Sequence, residues 1–548
     1  MKRSLSLICA VALLAASCTS GKEGEGSRVI VLGIDGGIWT MIQPMMERGE
    51  LPNLKKLCDS GIHGVLESRP PILSPVVWTT IFTGFGYQKH GVKDWKTSQS
   101  SNRRVSAIWE ILRERKKKVD VFNVPATWPP DEIPGVMLSG FPLSGSTYGG
   151  NTGELVTKET FENGKPPLAY RDSVQGIKDH LDGLEVGAWS PWFPGKVASR
   201  PQFRGMMRVM RLSEDSWYLT PLYRVDEGLV VSEPKNLRSE VSKKIGEPYI
   251  PEGPGWSRWD TDYTQEALYP HLEQVFEGQS KAALLYAPGD WDLFLYVMTF
   301  VDRVSHPYWA FSHPDDYPAM DPEKVKKYAD RVEKAYRASD EQIGRILKQV
   351  KGDPYVVIVS DHGFQSATDT SKAIGTHNPD GIYVVSGPGI KPKTGTPHFI
   401  EDVTPTLLYL LGMPVGADMD GHVFPEVAEA VGRNPVTIAS YETTARPSTD
   451  QPVDKSTWES LRGLGYVDGA APRKKAAGAA KDPQSPGDKD DEMPGSKPGA
   501  ARKPPEPAPG NPQAAPAMPE ESPHDILDDW PEDPNHPHEG GAGKPAAK

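Results

Sequence analysis

Three apolar runs in this 548-residue chain each end in an aspartate, and that pattern constrains the fold more than any other feature. Val29-Ile30-Val31-Leu32-Gly33-Ile34 runs into Asp35, and Leu293-Phe294-Leu295-Tyr296-Val297-Met298 runs towards Asp302. Tyr355-Val356-Val357-Ile358-Val359-Ser360 runs into Asp361-His362-Gly363. Short continuous apolar runs suit strands buried on both faces, between helical layers. Polar groups just past the carboxyl ends of such strands are where open α/β sheets place their chemistry. Together with Ser74, His306 and His377, these residues have the types needed for a two-metal hydrolase site. Carboxylate, hydroxyl and imidazole are hard-to-borderline ligands that suit Zn²⁺, with Mn²⁺ as the alternative.

The rest of the chain frames that centre. Lys2 and Arg3 precede an apolar stretch from Leu5 to Leu14 and the small residues Ala15-Ala16-Ser17-Cys18. This is the layout of a secretory signal, too short to span a membrane. Cys18 at the cleavage point looks like a bacterial lipobox cysteine, although Ala15 stands where leucine is commonest. The reading is a signal over 1–18, a polar tether over 19–27 and an exported lipoprotein anchored through Cys18. That places it in the periplasm or at the cell surface. A formal charge of −12 argues against binding nucleic-acid polymers. Cys58 is the remaining cysteine of the mature chain and is expected in the core.

A catalytic domain is expected over 28–467, with strand-like and helix-like stretches alternating as in an α/β layer fold. One helix is expected from Asp321, as cap, to Gly352, and another from about Val403 to Leu411 between Asp402 and Gly412. The stretch from about 145 to 278 is rich in Pro, Gly and aromatics and reads as a cap insertion. Its tryptophans 189, 192, 217, 256 and 259 either stack on a substrate or form the insertion's own small core. Beyond 467, Ala, Pro, Gly, Lys and Asp dominate, and 468–548 is expected to be a disordered tail.

Each motif has a chemical and a bland reading. Asp35 between glycines suits a metal ligand or an ordinary turn. Ser74 leads into an apolar helix, where a metal can turn its hydroxyl into a nucleophile, and where it can equally serve as the N-cap. Thr79 and Thr80 are rival hydroxyls. Asp302 and His306, four apart, can reach one ion from one helical turn. His377 is the last imidazole, with His398 as its competitor, and His90 reads as structural.

The order of these motifs resembles the alkaline phosphatase superfamily, and most closely its type I phosphodiesterase/nucleotide pyrophosphatase branch. The resemblance runs from about Arg28 to Val467 and includes Asp402-Val403-Thr404-Pro405-Thr406 and Met419-Asp420-Gly421. It implies a three-layer sandwich around a mostly parallel sheet and two divalent metals, zinc by the family's habit. One metal would be held by Asp35, Ser74, Asp361 and His362, the other by Asp302, His306 and His377. It further implies a small phosphate-ester substrate and a phosphoryl group carried on Ser74. Two features depart from the nucleotide pyrophosphatases. Pro75 follows the nucleophile and has no N–H to offer a phosphoryl oxygen, and no Asn stands in His90-Gly91-Val92-Lys93-Asp94-Trp95. Charge stabilisation then falls to Lys93 and the metals.

A sulfatase would carry Pro two residues and Arg four residues after its nucleophile, whereas Val76 and Trp78 stand there. Phosphodiester or pyrophosphate cleavage is the favoured activity. Phosphomonoesterase, which would want Arg69 or Arg303 for the extra charge, and phosphonate hydrolase are the enzymatic alternatives. A binding lipoprotein without catalysis is the alternative from another class.

Overall fold

The computed structural model describes residues 27–442 apart from 142–146, 149–152, 160–180, 182, 196–203, 227–228 and 255–261. The signal, Cys18, the tail from 468, Trp256 and Trp259 lie outside the described residues. Among the described residues, no helix is long and apolar enough to cross a membrane.

A ten-stranded sheet organises the protein. Its strands are β1 (Val29–Ile34), β2 (Ile62–Glu67), β3 (Val119–Phe122), β4 (Gly135–Leu138), β5 (Ser232–Glu233), β6 (Leu293–Met298), β7 (Tyr355–Val359), β8 (Asp380–Ser386), β9 (Lys393–Thr394) and β10 (His398–Phe399). The spatial order is β5-β4-β3-β6-β1-β7-β8-β2-β9, with β10 also on β2. From β4 to β7 the neighbours are parallel, and β8 enters antiparallel between β7 and β2. The three apolar runs are thus β6, β1 and β7, side by side at the centre.

Strand alternation sends their side chains to two cores. Ile30, Leu32 and Ile34 join a cluster with α1 (Trp39–Glu47), α2 (Pro52–Ser60), α5 (Asp262–Tyr286), α6 (Phe300–Ser312) and α8 (Arg331–Gln349). Val29 and Val31 join a second cluster with α3 (Ser74–Thr83), α4 (Ile108–Glu114) and α9 (Val403–Leu410). Helix layers on both faces make the expected three-layer sandwich. Cys58 is buried in the first core, and burial pushes its thiol up to about 12, which leaves it unreactive at neutral pH.

Two helix expectations need correction. The helix expected from Asp321 to Gly352 is two, α7 (Pro322–Tyr328) and α8. Asp321 does cap the first, accepting from Glu323 N–H at 2.9 Å. The Ala329 carbonyl is then drawn towards α6 by Ser312 Oγ at 2.8 Å, and α8 restarts after Asp330. Ser74 is not the N-cap of α3. Leu73 holds that position, and Ser74 is the first helical residue. The α9 helix ends as expected, at Gly412 with φ +73°. Asp402 stands at its N-cap but spends its carboxylate on Phe399 N–H at 3.1 Å and His422 N–H at 2.7 Å.

Between β4 and α5 the described chain builds two small antiparallel sheets. One is Glu154–Thr157, Ser216–Leu219 and Val209–Ser213, and the other is Thr147–Tyr148, Leu222–Arg224, Gly205–Met207 and Phe193–Gly195. Trp217 packs in a small core of their own with Val156, Phe193 and Met207. Trp189 meets Tyr218 and His271 edge-on, and Trp192 meets Tyr223 edge-on. These three tryptophans serve the insertion's packing.

Candidate metal centre

The adjacency of β6, β1 and β7 brings the three aspartates together. Asp35 N–H donates to the Met298 carbonyl at 3.1 Å, and Asp302 N–H donates to the Asp35 carbonyl at 3.1 Å. Gly36 follows with φ +79°. A Cβ there would come within 2.7 Å of the Phe364 ring, so the turn that presents Asp35 admits only glycine. Asp302 and His306 lie one turn apart on α6. His377 comes from the strand Gly375–Asn378, which pairs with Gly363–Ser366 directly after Asp361-His362.

Six of the seven expected residues form one cluster. Asp302 Oδ1 lies 3.4 Å from His306 Nε2, 3.3 Å from His377 Nε2 and 3.9 Å from His362 Nε2. His362 Nε2 lies 3.4 Å from both Asp35 Oδ1 and Asp361 Oδ2. The His362 and His377 rings stack with centroids 3.8 Å apart. Two groups have ligand atoms close enough to share an ion: Asp302, His306 and His377, and Asp35, Asp302 and His362. Asp302 belongs to both, so it stands between the two positions that the resemblance assigns.

The tautomers decide what the cluster wants. His306 Nδ1 faces the Gly375 carbonyl at 3.2 Å, His362 Nδ1 faces the Gly363 carbonyl at 3.1 Å and His377 Nδ1 faces the Ile72 carbonyl at 2.9 Å. A carbonyl only accepts, so each Nδ1 carries the proton and each Nε2 presents a lone pair. Two of those lone pairs, on His306 and His377, face each other at 3.1 Å. A shared proton or a metal ion reconciles them, and a carbonyl behind each imidazole is the usual support of a metal-ligating histidine. The electrostatics agree. Burial raises the Asp35 and Asp361 carboxyls well above the usual range, helped by repulsion from neighbouring carboxylates. Burial acts the same way on Asp302, but His306 and His377 outweigh it and hold that carboxyl well below the usual range. Burial and the nearby His377 keep His362 neutral. No lysine or arginine among the described residues forms an ion pair with Asp35 or Asp361. The residues therefore fit divalent metals.

Ser74 is held against this cluster from both sides. Ile72, two residues before it, accepts from His377, and Trp78, one turn after it, donates to Asp35 Oδ2 at 3.2 Å. Its Oγ is buried and makes no hydrogen bond. Among the described residues no base hydrogen-bonds it. The rivals are otherwise engaged. Thr79 and Thr80 donate back to the Pro75 and Val76 carbonyls at 2.6 and 3.1 Å. His90 bonds Thr80 Oγ1 and Val92 N–H, and His398 pairs with Glu426 at 3.0 Å. Lys93 is exposed on the loop beyond His90 and joins the cluster through no hydrogen bond or ion pair. Trp78 is the contact that sequence reading missed.

Residues 29–141 and 196–386 match the model of the family "Type I phosphodiesterase / nucleotide pyrophosphatase", over half of the chain. The chain belongs to this family. It is thereby a member of the alkaline phosphatase superfamily, and its family supports a phosphate-ester hydrolase. The unmatched stretch between the two segments falls in the insertion. No curated protein matches the sequence. Solved structures similar to it include a putative sulfatase from Bacteroides thetaiotaomicron, 11% identical, covering 77% of this chain and 77% of that one, with a TM-score of 0.38. A phosphonate monoester hydrolase from Silicibacter pomeroyi is 13% identical, covering 75% and 77%, with a TM-score of 0.32. An alkaline phosphatase superfamily protein from Vibrio parahaemolyticus is 12% identical, covering 73% and 69%, with a TM-score of 0.29. Likeness at this level says nothing of chemistry.

Proposed function

We propose that this chain is an exported, lipid-anchored hydrolase that cleaves phosphate diesters or nucleotide pyrophosphates, with Ser74 as nucleophile. The observation that carries the reading is the pair of imidazole Nε2 atoms facing each other beside three buried carboxylates. Asp302, His306 and His377 would hold one zinc, and Asp35, Asp361, His362 and Ser74 the other. Bound zinc would supply the Lewis acidity that ionises the Ser74 hydroxyl and offsets phosphoryl charge.

Ser74 Oγ then attacks phosphorus in line, forming a Ser–O–P bond as the bond to the leaving oxygen breaks. Water afterwards cleaves the phosphoseryl ester and frees the hydroxyl. The gly-rich turn at Asp35 and the carbonyls behind the imidazoles hold the site in place, so little reorganisation is needed during reaction. One observation favours diesters over monoesters. Both arginines that a monoester's second charge would want have other partners: Arg69 lies over the Phe399 ring and pairs with Glu401, and Arg303 turns to the Pro254 carbonyl. Export and the lipid on Cys18 rest on the signal-like N-terminus.

The test is kcat/KM of the zinc-loaded protein on bis(4-nitrophenyl) phosphate and 4-nitrophenyl phosphate. A diester preference is expected. A monoester preference would move the chain to the phosphatase reading, and hydrolysis of neither would count against catalysis at this centre.

A further inference from the structure

Trp78 belongs to no ligand set, yet it binds one of the ligands. It is fully buried on α3, one helical turn beyond Ser74. Its indole N–H donates to Asp35 Oδ2 at 3.2 Å, which leaves Asp35 Oδ1 as the oxygen 3.4 Å from His362 Nε2. The ring lies across the strand two residues before Asp35. A Cβ on Gly33 would come within 2.5 Å of Trp78 Cη2, so the glycine of Gly33-Ile34-Asp35 is the space the indole occupies. Phe82, one turn further along α3, stacks on the other side with centroids 5.8 Å apart and planes 19° apart. The indole therefore has no room to slide along Asp35. A buried indole N–H requires an acceptor, and a carboxylate that accepts on one oxygen has the other aimed.

We propose that Trp78 is a positioning residue that selects Asp35 Oδ1 as the metal-facing oxygen and ties the helix of Ser74 to the strand of Asp35. One side chain then sets both the ligand's rotamer and the distance from nucleophile to ligand. The inference rests on the two-metal reading above. The competing explanation is that the ring only fills space between α3 and β1, and the two differ in what the N–H does.

The experiment is chelator competition on the zinc-loaded full-length protein, read as zinc per chain, alongside thermal melting and kinetics on bis(4-nitrophenyl) phosphate. For W78F, one zinc should be lost at chelator concentrations 10–100-fold below those the wild type needs, while the other stays. kcat should fall by a similar factor, with KM little changed. Because phenylalanine also removes ring volume, benzothienylalanine at position 78 is the second variant. It keeps the bicyclic shape, replaces N–H by sulfur, and should lose the same zinc with an unchanged melting temperature. If that isostere holds both zinc ions as tightly as the wild type, the hydrogen bond positions nothing and the proposal fails. If the wild type itself takes up no zinc, the two-metal reading fails instead, and the proposal with it.

Discussion

His271 in the cap junction is fully buried and the His306–His377 pair at the strand ends largely so, and their hydrogen bonding differs. His271 sits on α5 with Tyr218 OH at 2.9 Å from Nδ1 and Tyr223 OH at 3.0 Å from Nε2. Those tyrosines come from the two different small sheets, so one imidazole pins both to α5. Every polar atom of that ring is met by the protein, and burial keeps it neutral, down to about 3. At the strand ends backbone carbonyls meet the Nδ1 side of His306 and His377, while their Nε2 atoms face one another and Asp302 Oδ1. Burying a lone pair without a partner is costly. Within this cluster His362 Nε2, Asp35 Oδ1 and Asp361 Oδ2 are buried without a hydrogen bond, a pattern that His90, His271 and His398 do not share and that suits a cation.

That contrast can be attacked from the side with most to lose. S74A should reduce diester turnover by about 10⁴-fold or more while the fold and most of the bound zinc are retained. Retained turnover would remove Ser74 from the chemistry. D302N comes next. Asp302 is assigned to the zinc held with His306 and His377, so zinc per chain should fall by about one and activity by about 10³-fold. Loss of both zinc ions would place Asp302 in both groups. The complementary change in the cap is H271F, which removes one hydrogen bond from each of two buried tyrosine hydroxyls, about 0.5–1.5 kcal/mol each. By removing the imidazole that both hydroxyls share, it should lower the melting temperature and leave zinc content untouched. A loss of zinc there would blur the distinction between the regions.

The smallest effect is in pH. Burial holds His90 and His271 at about 3, below the ordinary value of about 6.5 for an unfolded chain. Between those values the unfolded chain binds more protons, so their contribution is complete above about pH 6.5 and drains away as pH falls towards 3. Denaturant melts across that window should show the decline, and H271F should show a shallower one. Equal slopes would mean that His271 is protonated in the folded protein.

Much of the centre was legible because its ligands follow strands, and strand ends are easy to read. Asp35 and Asp361 directly follow apolar runs, and Asp302 and His306 have helical spacing. His362 and His377 lie on the two limbs of one hairpin. What could not be read is second-order geometry. Trp78 looks like one apolar residue among many in an apolar helix, and its bond to Asp35 depends on how α3 crosses β1. Leu73 rather than Ser74 caps α3 because Val76 and Val77 both close onto its carbonyl, a backbone choice that side-chain propensities do not report. The break between α7 and α8 follows from Ser312 on another helix, so no local signal marks it. The carbonyls of Ile72, Gly363 and Gly375 that orient the imidazoles have no side-chain signature at all.

The most direct test of the central claim is metal stoichiometry, measured by elemental analysis on wild type and on H271F and H306A side by side. The account predicts two divalent ions per chain in the wild type and in H271F, and no more than one in H306A. A wild type that purifies and dialyses against zinc without retaining any, or an H306A protein that still holds two, would contradict it.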